Sequence, residues 1–289
     1  MSIELKEVSY IYMPKTPFER QALRNVSLTV EEGSFIAIAG HTGSGKSTLI
    51  QHMNGLIQPS SGKVLIDGIN LADKSKAGEK AIRTARGKVG MVFQYPEQQL
   101  FEETVAADVA FGPQNQGVSG DELTKRVREA LDLVGIDYDT YKERSPYQLS
   151  GGQKRRVAIA GVLALHPKYL ILDEPTAGLD PIGREELIHT ICKLHKEWKI
   201  SIVFISHSME DIARLADFVA IMKQGEMILY DTPQKVFKQT EVLHGAGLKT
   251  PHITELLNKI RQIGIAVDDT AIEPVEGIHR IKEALTHAK

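Results

Sequence analysis

The sequence predicts an α/β protein built on a mostly parallel sheet, and three observations support this fold class. Short uninterrupted apolar runs recur at Phe35–Ala39, Val89–Phe93, Tyr169–Leu172 and Ile202–Ile205, as is typical of strands that are buried on both faces. Segments with helical periodicity separate these runs, which favours parallel pairing. A glycine-rich loop directly follows the first run, as expected where a strand passes into a helix that binds an anion.

The composition limits the class of protein. The chain has 289 residues, of which 42% are hydrophobic and 25% charged, and its formal net charge is −2. This length accommodates one large α/β domain and a small second one, and the charge argues against binding of nucleic acid over the whole surface. The one cysteine, Cys192, is expected to be a buried free thiol of a cytosolic protein. No apolar run approaches the roughly 20 residues that a membrane-spanning helix needs.

Alternating residues before the first buried run predict an antiparallel sheet with a loop between Met13 and Arg24. The apolar face of this sheet is expected to comprise Ile3, Leu5, Val8, Val26, Leu28 and Val30. Residues 95–166 are predicted to be a helical insert. Its two amphipathic helices are expected to bury Leu123, Val127, Leu131 and Val134, and Val157, Ala160, Gly161, Ala164 and Leu165.

After the last buried run, the pattern predicts a helix at Met209–Leu215 and a hairpin that turns at Gln224 and Gly225. We therefore expect one domain over residues 1–235, with the helical subdomain at about 95–166, and a small α-rich domain over residues 236–289. The small domain cannot bury much surface alone, so it must dock on another surface. Its helical stripes are Ile253, Leu256, Leu257 and Ile260, followed by Ile278, Ile281 and Leu285.

The glycine-rich loop satisfies the P-loop pattern, because Gly40, Gly45, Lys46 and Ser47 stand at the required spacing between a strand and a helix. Backbone N–H groups of such a loop curl around phosphate oxygens, the lysine reaches the β- and γ-phosphates, and the serine hydroxyl binds Mg²⁺. The residues predicted to hold the nucleotide here are Gly40, His41, Thr42, Gly43, Ser44, Gly45, Lys46, Ser47 and Thr48.

Two acids follow the third buried run, at the sheet edge where the P-loop is expected. Asp173 is predicted to hold Mg²⁺ together with Ser47. Glu174 is predicted to orient and polarise the attacking water as a general base. These motifs alone leave GTPases, kinases, helicases and transporters open, since a phosphate-binding fold does not fix a function.

A second anion-binding helix end is predicted at Leu149-Ser150-Gly151-Gly152-Gln153, where Ser150 is the expected N-cap. One nucleotide needs only one such cradle. Two cradles on one chain therefore suggest that each subunit completes the site of another in a head-to-tail dimer.

From about Ile3 to Pro233 the motifs resemble, in order, those of the ATP-binding cassette family. The resemblance implies a P-loop NTPase cassette with an antiparallel N-terminal β-subdomain and a helical insert, which binds ATP and Mg²⁺. It also implies that the Ser150–Gln153 segment closes over the ATP of another subunit. Further roles carried over by position are adenine stacking by Tyr12, Mg²⁺ and water contact by Gln94, an inter-subunit contact by Asp180, and γ-phosphate contact by His207. Lys46, Glu174, His207 and Gln94 form the expected catalytic set.

Within that family, the run Phe93-Gln94-Tyr95-Pro96-Glu97-Gln98-Gln99-Leu100-Phe101 resembles the ATPase subunits of energy-coupling factor transporters. The segments around His41 and Lys154 are most similar to the second of the two paralogous ATPases of such modules. This resemblance implies that the chain is peripheral on the cytoplasmic face of the membrane and drives the uptake of vitamins or another micronutrient into the cell. The implied partners are a paralogous ATPase, an integral membrane coupling protein and, through that complex, a substrate-binding membrane subunit; no nucleic acid is expected.

Two alternatives stay open at this point. The chain could serve another ABC importer, or be a soluble ABC ATPase that acts on nucleic acid or protein complexes, for which the basic run Lys154-Arg155-Arg156 would offer a surface. Three basic residues on one helix are more often a solvated face. The sequence identifies neither the cargo nor whether the dimer is a heterodimer or a homodimer.

Overall fold

The computed structural model describes residues 1–73 and 75–287 of the chain, and within them it contains ten strands, twelve α-helices and two short 3₁₀ helices. The strands are β1 (Ser2–Tyr12), β2 (Arg20–Glu31), β3 (Phe35–Ala39), β4 (Ser61–Ile66), β5 (Ile69–Asn70), β6 (Val89–Val92), β7 (Tyr169–Asp173), β8 (Ser201–Ile205), β9 (Phe218–Lys223) and β10 (Glu226–Asp231). The α-helices are α1 (Lys46–Met53), α2 (Lys76–Arg86), α3 (Val105–Asn115), α4 (Gly120–Leu133), α5 (Tyr138–Tyr141), α6 (Gly151–Leu163), α7 (Pro181–Trp198), α8 (Met209–Leu215), α9 (Pro233–Phe237), α10 (Thr240–Gly245), α11 (His252–Gln262) and α12 (Pro274–His287).

The predicted parallel sheet is confirmed. Six strands pair in the order β10-β9-β3-β8-β7-β6, and every neighbouring pair is parallel except β9 with β10. All residues of β3, β6 and β8 are buried, because helices or the second sheet cover both faces. The carboxyl ends of β3, β6, β7 and β8 therefore meet along one edge, where α/β proteins place their ligand sites.

The predicted antiparallel sheet is also confirmed, with strand order β2-β1-β4-β5. A bulge in β1, where Glu7 has a left-handed φ of 52°, keeps Val8 on the same buried face as Ile3 and Leu5. The loop prediction was too long: β2 begins at Arg20, so only residues 13–19 connect the strands. The first residues of β2 are exposed on both faces and so show no alternation in the sequence.

The region predicted to be a helical insert, 95–166, contains helices α3 to α6 and both 3₁₀ helices. Val127 and Leu131 of α4 pack with Val157 and Ala160 of α6 in one buried cluster that reaches the sheet through Leu172. Helix α6 is shorter than the predicted stripe, since it ends at Leu163. The cluster fixes the direction in which the N-terminus of α6 points. Cys192 is a free thiol as expected, but it is half-buried rather than buried.

The C-terminal segment docks on the parallel sheet. Phe237 and Leu243 of α9 and α10 and Ile272 share a buried cluster with Val219 and Ile221 of β9. A second, small cluster joins α11 to α12 through the stripe residues Ile253, Leu257, Ile260 and Ile281. Leu256, Ile278 and Leu285 of the predicted stripes are instead about half exposed. Residues 288 and 289 of the predicted C-terminal domain lie outside the described residues, and in the described part no helix has the length and hydropathy of a membrane span.

Candidate nucleotide site

The loop between β3 and α1 is shaped by backbone that only glycine tolerates well. Gly43 and Gly45 have left-handed φ values of 81° and 106°, and a Cβ on Gly45 would lie 2.7 Å from the Ala22 carbonyl oxygen. The loop leads directly into the N-terminus of α1, which begins at Lys46. The first turn of α1 therefore has the position that the P-loop pattern predicts for a phosphate-binding helix N-terminus.

Lys46 is buried in this loop. Its Nζ donates to the Gly40 carbonyl at 2.7 Å and to the His41 carbonyl at 3.1 Å. Burial lowers the pKa of Lys46, and the negative charges of Glu174 and Asp173 oppose this effect. Removal of a lysine charge from water is favourable only beside compensating negative groups, so the ammonium is suited to meet phosphate oxygens.

Asp173 and Glu174 lie at the end of β7, beside the P-loop. Burial and the adjacent Glu174 charge raise the pKa of Asp173 above its ordinary value of 3.8, while Lys46, Ser47 and His207 act in the opposite direction. A half-buried carboxylate next to a second carboxylate and a serine hydroxyl is a donor set that suits Mg²⁺. The residues present therefore fit the predicted metal.

Glu174 stands where three strand ends converge. It has a left-handed φ of 49°, which turns the chain sharply after β7. His207, after β8, places Nε2 2.7 Å from Glu174 Oε1, and Gln94, after β6, donates from Nε2 to Glu174 Oε2 at 3.3 Å. The parallel sheet thus brings together three residues that are far apart in the sequence.

Gln94, Glu174 and His207 line a cavity of about 360 Å³. It is lined by Tyr12, Arg20, Ala22, Thr42, Gly43, Gly45, Lys46, Ser47, Thr48, Gln94, Glu174 and His207. Gly40, His41, Ser44 and Asp173 are not part of this lining, although all four lie within or beside the loop. Ser44 is fully buried and its hydroxyl has no hydrogen-bond partner among the described residues.

Tyr12 and Arg20 form the outer rim of this cavity. The Tyr12 hydroxyl lies 3.2 Å from Thr48 Oγ1 in a hydrogen bond, which ties the end of β1 to α1. Arg20 pairs with Tyr12 across the β1–β2 ladder, and its guanidinium lies beside Gly43. Arg20 is not among the site residues predicted from the sequence. Its only signal is the cross-strand position opposite Tyr12, which requires knowledge of the register.

The second predicted anion site is also a helix N-terminus. Ser150 caps α6: its Oγ accepts from the Gln153 N–H at 3.3 Å, while Gln153 Oε1 accepts from the Ser150 N–H at 3.0 Å. Gly151 is exposed, and a Cβ there would meet no atom within 4 Å. Asp180 caps α7 by accepting from the N–H groups of Ile182 and Gly183 at 3.0 Å each.

These residues line a different cavity, of about 530 Å³, which shares no lining residue with the P-loop cavity. Ser150, Gly151, Gly152 and Asp180 all belong to it. Gln153 does not; its side-chain Nε2 donates to the Tyr141 hydroxyl at 3.1 Å. The structure therefore divides the predicted nucleotide contacts of one chain between two places.

The prediction of a solvated basic face on α6 is wrong for Arg155. Its side chain is only 4% exposed and forms a bidentate ion pair with Glu97, at 2.8 and 2.9 Å. Its Nη1 also donates to the carbonyls of Pro175 and Ala177. The guanidinium thus links α6, the segment after Gln94 and the segment after Glu174, and the run 154–156 is not a continuous nucleic-acid surface.

Comparison with known proteins agrees with this geometry. The family model described as ABC transporter matches residues 23–177. The energy-coupling factor transporter ATP-binding protein EcfA2 of Clostridium perfringens is 52% identical over 285 residues, which cover 99% of this chain and 97% of that protein. The protein of the same name from Caldanaerobacter subterraneus subsp. tengcongensis is 47% identical over 289 residues, which cover 100% of this chain and 99% of that protein.

Solved structures show the same architecture. The structure of cbiO1 from Clostridium perfringens, part of the ABC transporter complex cbiONQ, matches with a TM-score of 0.73 and 39% identity over 90% of this chain and 97% of that chain. A dimeric structure of the ATP-binding cassette MJ0796, in a post-hydrolysis state with ADP and Pi, matches with a TM-score of 0.70 and 31% identity over 80% of this chain and 98% of that chain.

Proposed function

The chain belongs to the ABC transporter family, as an ATP-hydrolysing energy-coupling factor transporter ATP-binding subunit, and on this premise we propose that it works as one half of a closing ATPase dimer. The P-loop of each subunit faces the Ser150–Gln153 segment of the other, with ATP between them. The observation that supports this proposal most strongly is the division of the nucleotide contacts between two cavities. Each cavity then supplies half of a site.

The P-loop half binds the triphosphate. The backbone N–H groups from Gly43 to Ser47 surround the phosphates. Lys46 Nζ gives up its hydrogen bonds to the Gly40 and His41 carbonyls and donates instead to β- and γ-phosphate oxygens. Tyr12 and Arg20, at the rim, bind the adenine and ribose end. The exposed Gly151 lets the α6 N-terminus of the other subunit approach the γ-phosphate closely.

Ser47, Gln94 and Asp173 are the residues that would hold Mg²⁺. The negative charge of Glu174 disfavours ionisation of the half-buried Asp173 carboxyl, and a divalent cation would offset this repulsion. When bound, Mg²⁺ supplies positive charge that stabilises the phosphate oxygens during transfer. Asp173 and Ser47 keep their oxygens at the mouth of the P-loop for this purpose.

Glu174 is proposed to be the general base. His207 and Gln94 hold its two carboxylate oxygens at 2.7 and 3.3 Å, so the side chain is oriented before the substrate arrives. On closure, His207 moves its Nε2 to the γ-phosphate and frees Oε1 of Glu174 to accept a proton from the attacking water. Gln94 keeps hold of the second oxygen and contacts the same water.

The substitution Glu174→Gln tests this role in the complete membrane complex. It preserves the shape of Glu174 and one of its two acceptor oxygens but removes the base, so we expect ATP binding and closure to be retained. We expect ATP turnover to fall by about 10³-fold or more, with a nucleotide-bound dimer that accumulates. Normal turnover would contradict the role of Glu174.

The segment that follows Gln94 is proposed to transmit the conformational change in the ATP site to the membrane partner. Tyr95, Phe101 and Phe111 are 42%, 56% and 45% exposed, and the rings of Phe101 and Phe111 pack edge to face with centroids 4.9 Å apart. Exposed aromatic side chains beside a polar rim are typical of a protein-binding surface. We propose that a helix of an integral membrane coupling protein docks here, on the cytoplasmic face, and moves with Gln94.

The remaining partner assignments follow from the same premise. A paralogous ATPase is proposed to be the second subunit, a homodimer being the alternative, and residues 236–289 are proposed to contribute to that pairing. The half-exposed Leu256 and Ile278 of this segment support the pairing role. The cargo, a vitamin or another micronutrient, is proposed to be selected by a separate substrate-binding membrane subunit.

Purification of the tagged full chain from membranes of its own host tests these partners. We expect a second ATPase and an integral membrane protein to accompany it in stoichiometric amounts. Recovery with RNA or DNA and without a membrane protein would favour the soluble-ATPase alternative. The burial of Arg155 in its ion pair argues against that alternative, because it leaves no continuous basic patch on α6.

A further inference from the structure

A third cavity, of about 700 Å³, lies against α11 in the C-terminal segment and has no role in the mechanism above. Every residue that lines it carries a polar or charged side chain, and none of them belongs to the two nucleotide cavities. Its volume is in the range of about 300–1,000 Å³ that is usual for small-molecule sites. The carbon stems of these side chains supply apolar surface, while their polar ends favour a ligand that carries charged and hydroxyl groups.

Two buried hydroxyl groups in this lining are unsatisfied. Thr250 and Thr254 stand on either side of Pro251 at the start of α11, and they are only 2% and 3% exposed. Neither Oγ1 atom has a hydrogen-bond partner among the described residues. A buried hydroxyl without a partner destabilises the fold, which makes two of them within one helical turn unusual in a native protein.

The charges around these hydroxyls favour an anion. Lys238 and Lys259 line the cavity and form no ion pair within 4.0 Å among the described residues, whereas Arg261 is paired with Asp269. The remaining carboxylate of the lining is Glu255. Outside the lining, hydrogen bonds from Thr270 lower the pKa of Asp268, and the charges of Arg280 and Lys238 act in the same direction. The α11 N-terminus adds its own positive partial charge beside Thr254.

We propose that this cavity binds a small, hydroxyl-rich phosphorylated molecule. Its phosphate group lies between Lys238 and Lys259, and its hydroxyl groups bond Thr250 and Thr254. The lysines provide the charge that attracts a phosphate, and the threonines provide the hydrogen bonds that distinguish a sugar phosphate from inorganic phosphate.

Thermal unfolding of the full chain tests this proposal, with saturating ADP present so that the P-loop is filled. The probes are glucose 6-phosphate and ribose 5-phosphate, with glucose and inorganic phosphate as comparisons. We expect both sugar phosphates to raise Tm by roughly 2–4 °C at concentrations well above their Kd, and the two comparison compounds to leave it unchanged.

Three variants locate the effect. Lys259→Gln and Thr254→Val are expected to abolish the shift, and Thr254→Val should also leave the unliganded Tm equal to or above that of the parent chain, since it removes an unsatisfied buried hydroxyl. Lys249→Gln, at an exposed lysine outside the lining, is expected to keep the shift. No shift with either sugar phosphate, an equal shift with inorganic phosphate or glucose, or a shift that survives Lys259→Gln and Thr254→Val would overturn the proposal.

Discussion

Single residues from four strand ends meet at one edge of the sheet, and most of them could be predicted. Gln94, Glu174 and His207 each follow a buried apolar run closely, and parallel pairing of those runs brings them together. Arg20 could not be predicted in this way. Its place in the cavity depends on the β1–β2 register, which shifts three times between Leu5 and Ile11 and leaves no local signal in the sequence.

The first residue-scale prediction concerns Arg20. Its guanidinium lies beside Gly43 in the nucleotide cavity, so Arg20→Gln should remove a charged contact to ATP and weaken binding about ten-fold. The matched control is Arg24→Gln on the same strand, because Arg24 lies outside that cavity and pairs with Glu226 at 3.8 Å. Titration calorimetry on the isolated chain measures both. Equal affinities of the parent and the Arg20 variant would refute the contact.

The second concerns the pKa of Asp173, which burial and the Glu174 charge raise above its ordinary value of 3.8. A carboxyl with a raised pKa in the folded state contributes stability below its unfolded pKa and loses it as the pH rises through the folded pKa. The ionised group is therefore unfavourable in the nucleotide-free fold at neutral pH. Asp173→Asn should raise Tm there, and this gain should vanish as the pH falls toward about 4.

Calorimetric unfolding of the nucleotide-free chain over that pH range provides the check. The same variant should lose Mg²⁺-dependent ATP turnover, since a neutral amide replaces the proposed ligand. A lower Tm for the Asn variant at neutral pH would mean that the ionised carboxylate stabilises the fold, contrary to the direction of its pKa shift.

At the scale of elements, the strands and the helix starts were predictable because their signals are local. The N-cap of α6 at Ser150 is an example, since the capping residue and Gln153 stand three positions apart. The inward direction of Arg155 was not predictable. Its partner Glu97 lies 58 positions away, and only tertiary packing of α6 against the segment after β6 brings the two together.

The element-scale prediction tests this contact. Glu97→Gln preserves the shape of Glu97 but leaves the Arg155 guanidinium buried without its countercharge, so the free energy of unfolding should fall by about 3 kcal/mol. The matched control is Glu186→Gln, which breaks the neighbouring but more exposed pair with Arg156 and should cost less than about 1 kcal/mol. Urea unfolding compares the two, and equal losses would show that Arg155 is not held by Glu97.

At the scale of the whole molecule, the C-terminal segment and the cassette form one packed unit. Besides the cluster around Phe237, the backbone N–H and the Nδ1 of His252 both lie within hydrogen-bond distance of Glu210 Oε1, at 3.3 and 2.7 Å, which ties α11 to α8. The sequence predicted that this segment must dock, but not where. The sequence of residues 236–289 shows apolar stripes, but the surface on which this segment docks forms only when β9 and α8 pack together.

The sequence also indicated two phosphate-facing helix ends on one chain, and the structure separates them into two cavities. The central claim is that these are halves of sites shared between subunits. A substitution on the Ser150–Gln153 side should therefore leave ATP binding by the isolated chain intact and impair turnover by the complex.

The substitution Gly151→Asp separates ATP binding by the isolated chain from ATP turnover by the complex. The position is open to solvent and a carboxylate there suits a helix N-terminus, so the fold should tolerate it, but the added charge would face the phosphate held by the other subunit. Ser119→Asp, which adds the same charge at the N-cap of α4, is the control, and Lys46→Ala is the reference for a lost P-loop.

The decisive comparison is the Kd for ATP of the isolated chain against the ATP turnover of the assembled membrane complex, for these three variants. We predict that Gly151→Asp binds ATP like the parent chain, unlike Lys46→Ala, but reduces turnover about ten-fold, whereas Ser119→Asp changes neither. Loss of ATP binding by the isolated Gly151→Asp chain, or full turnover by its complex, would contradict the shared site.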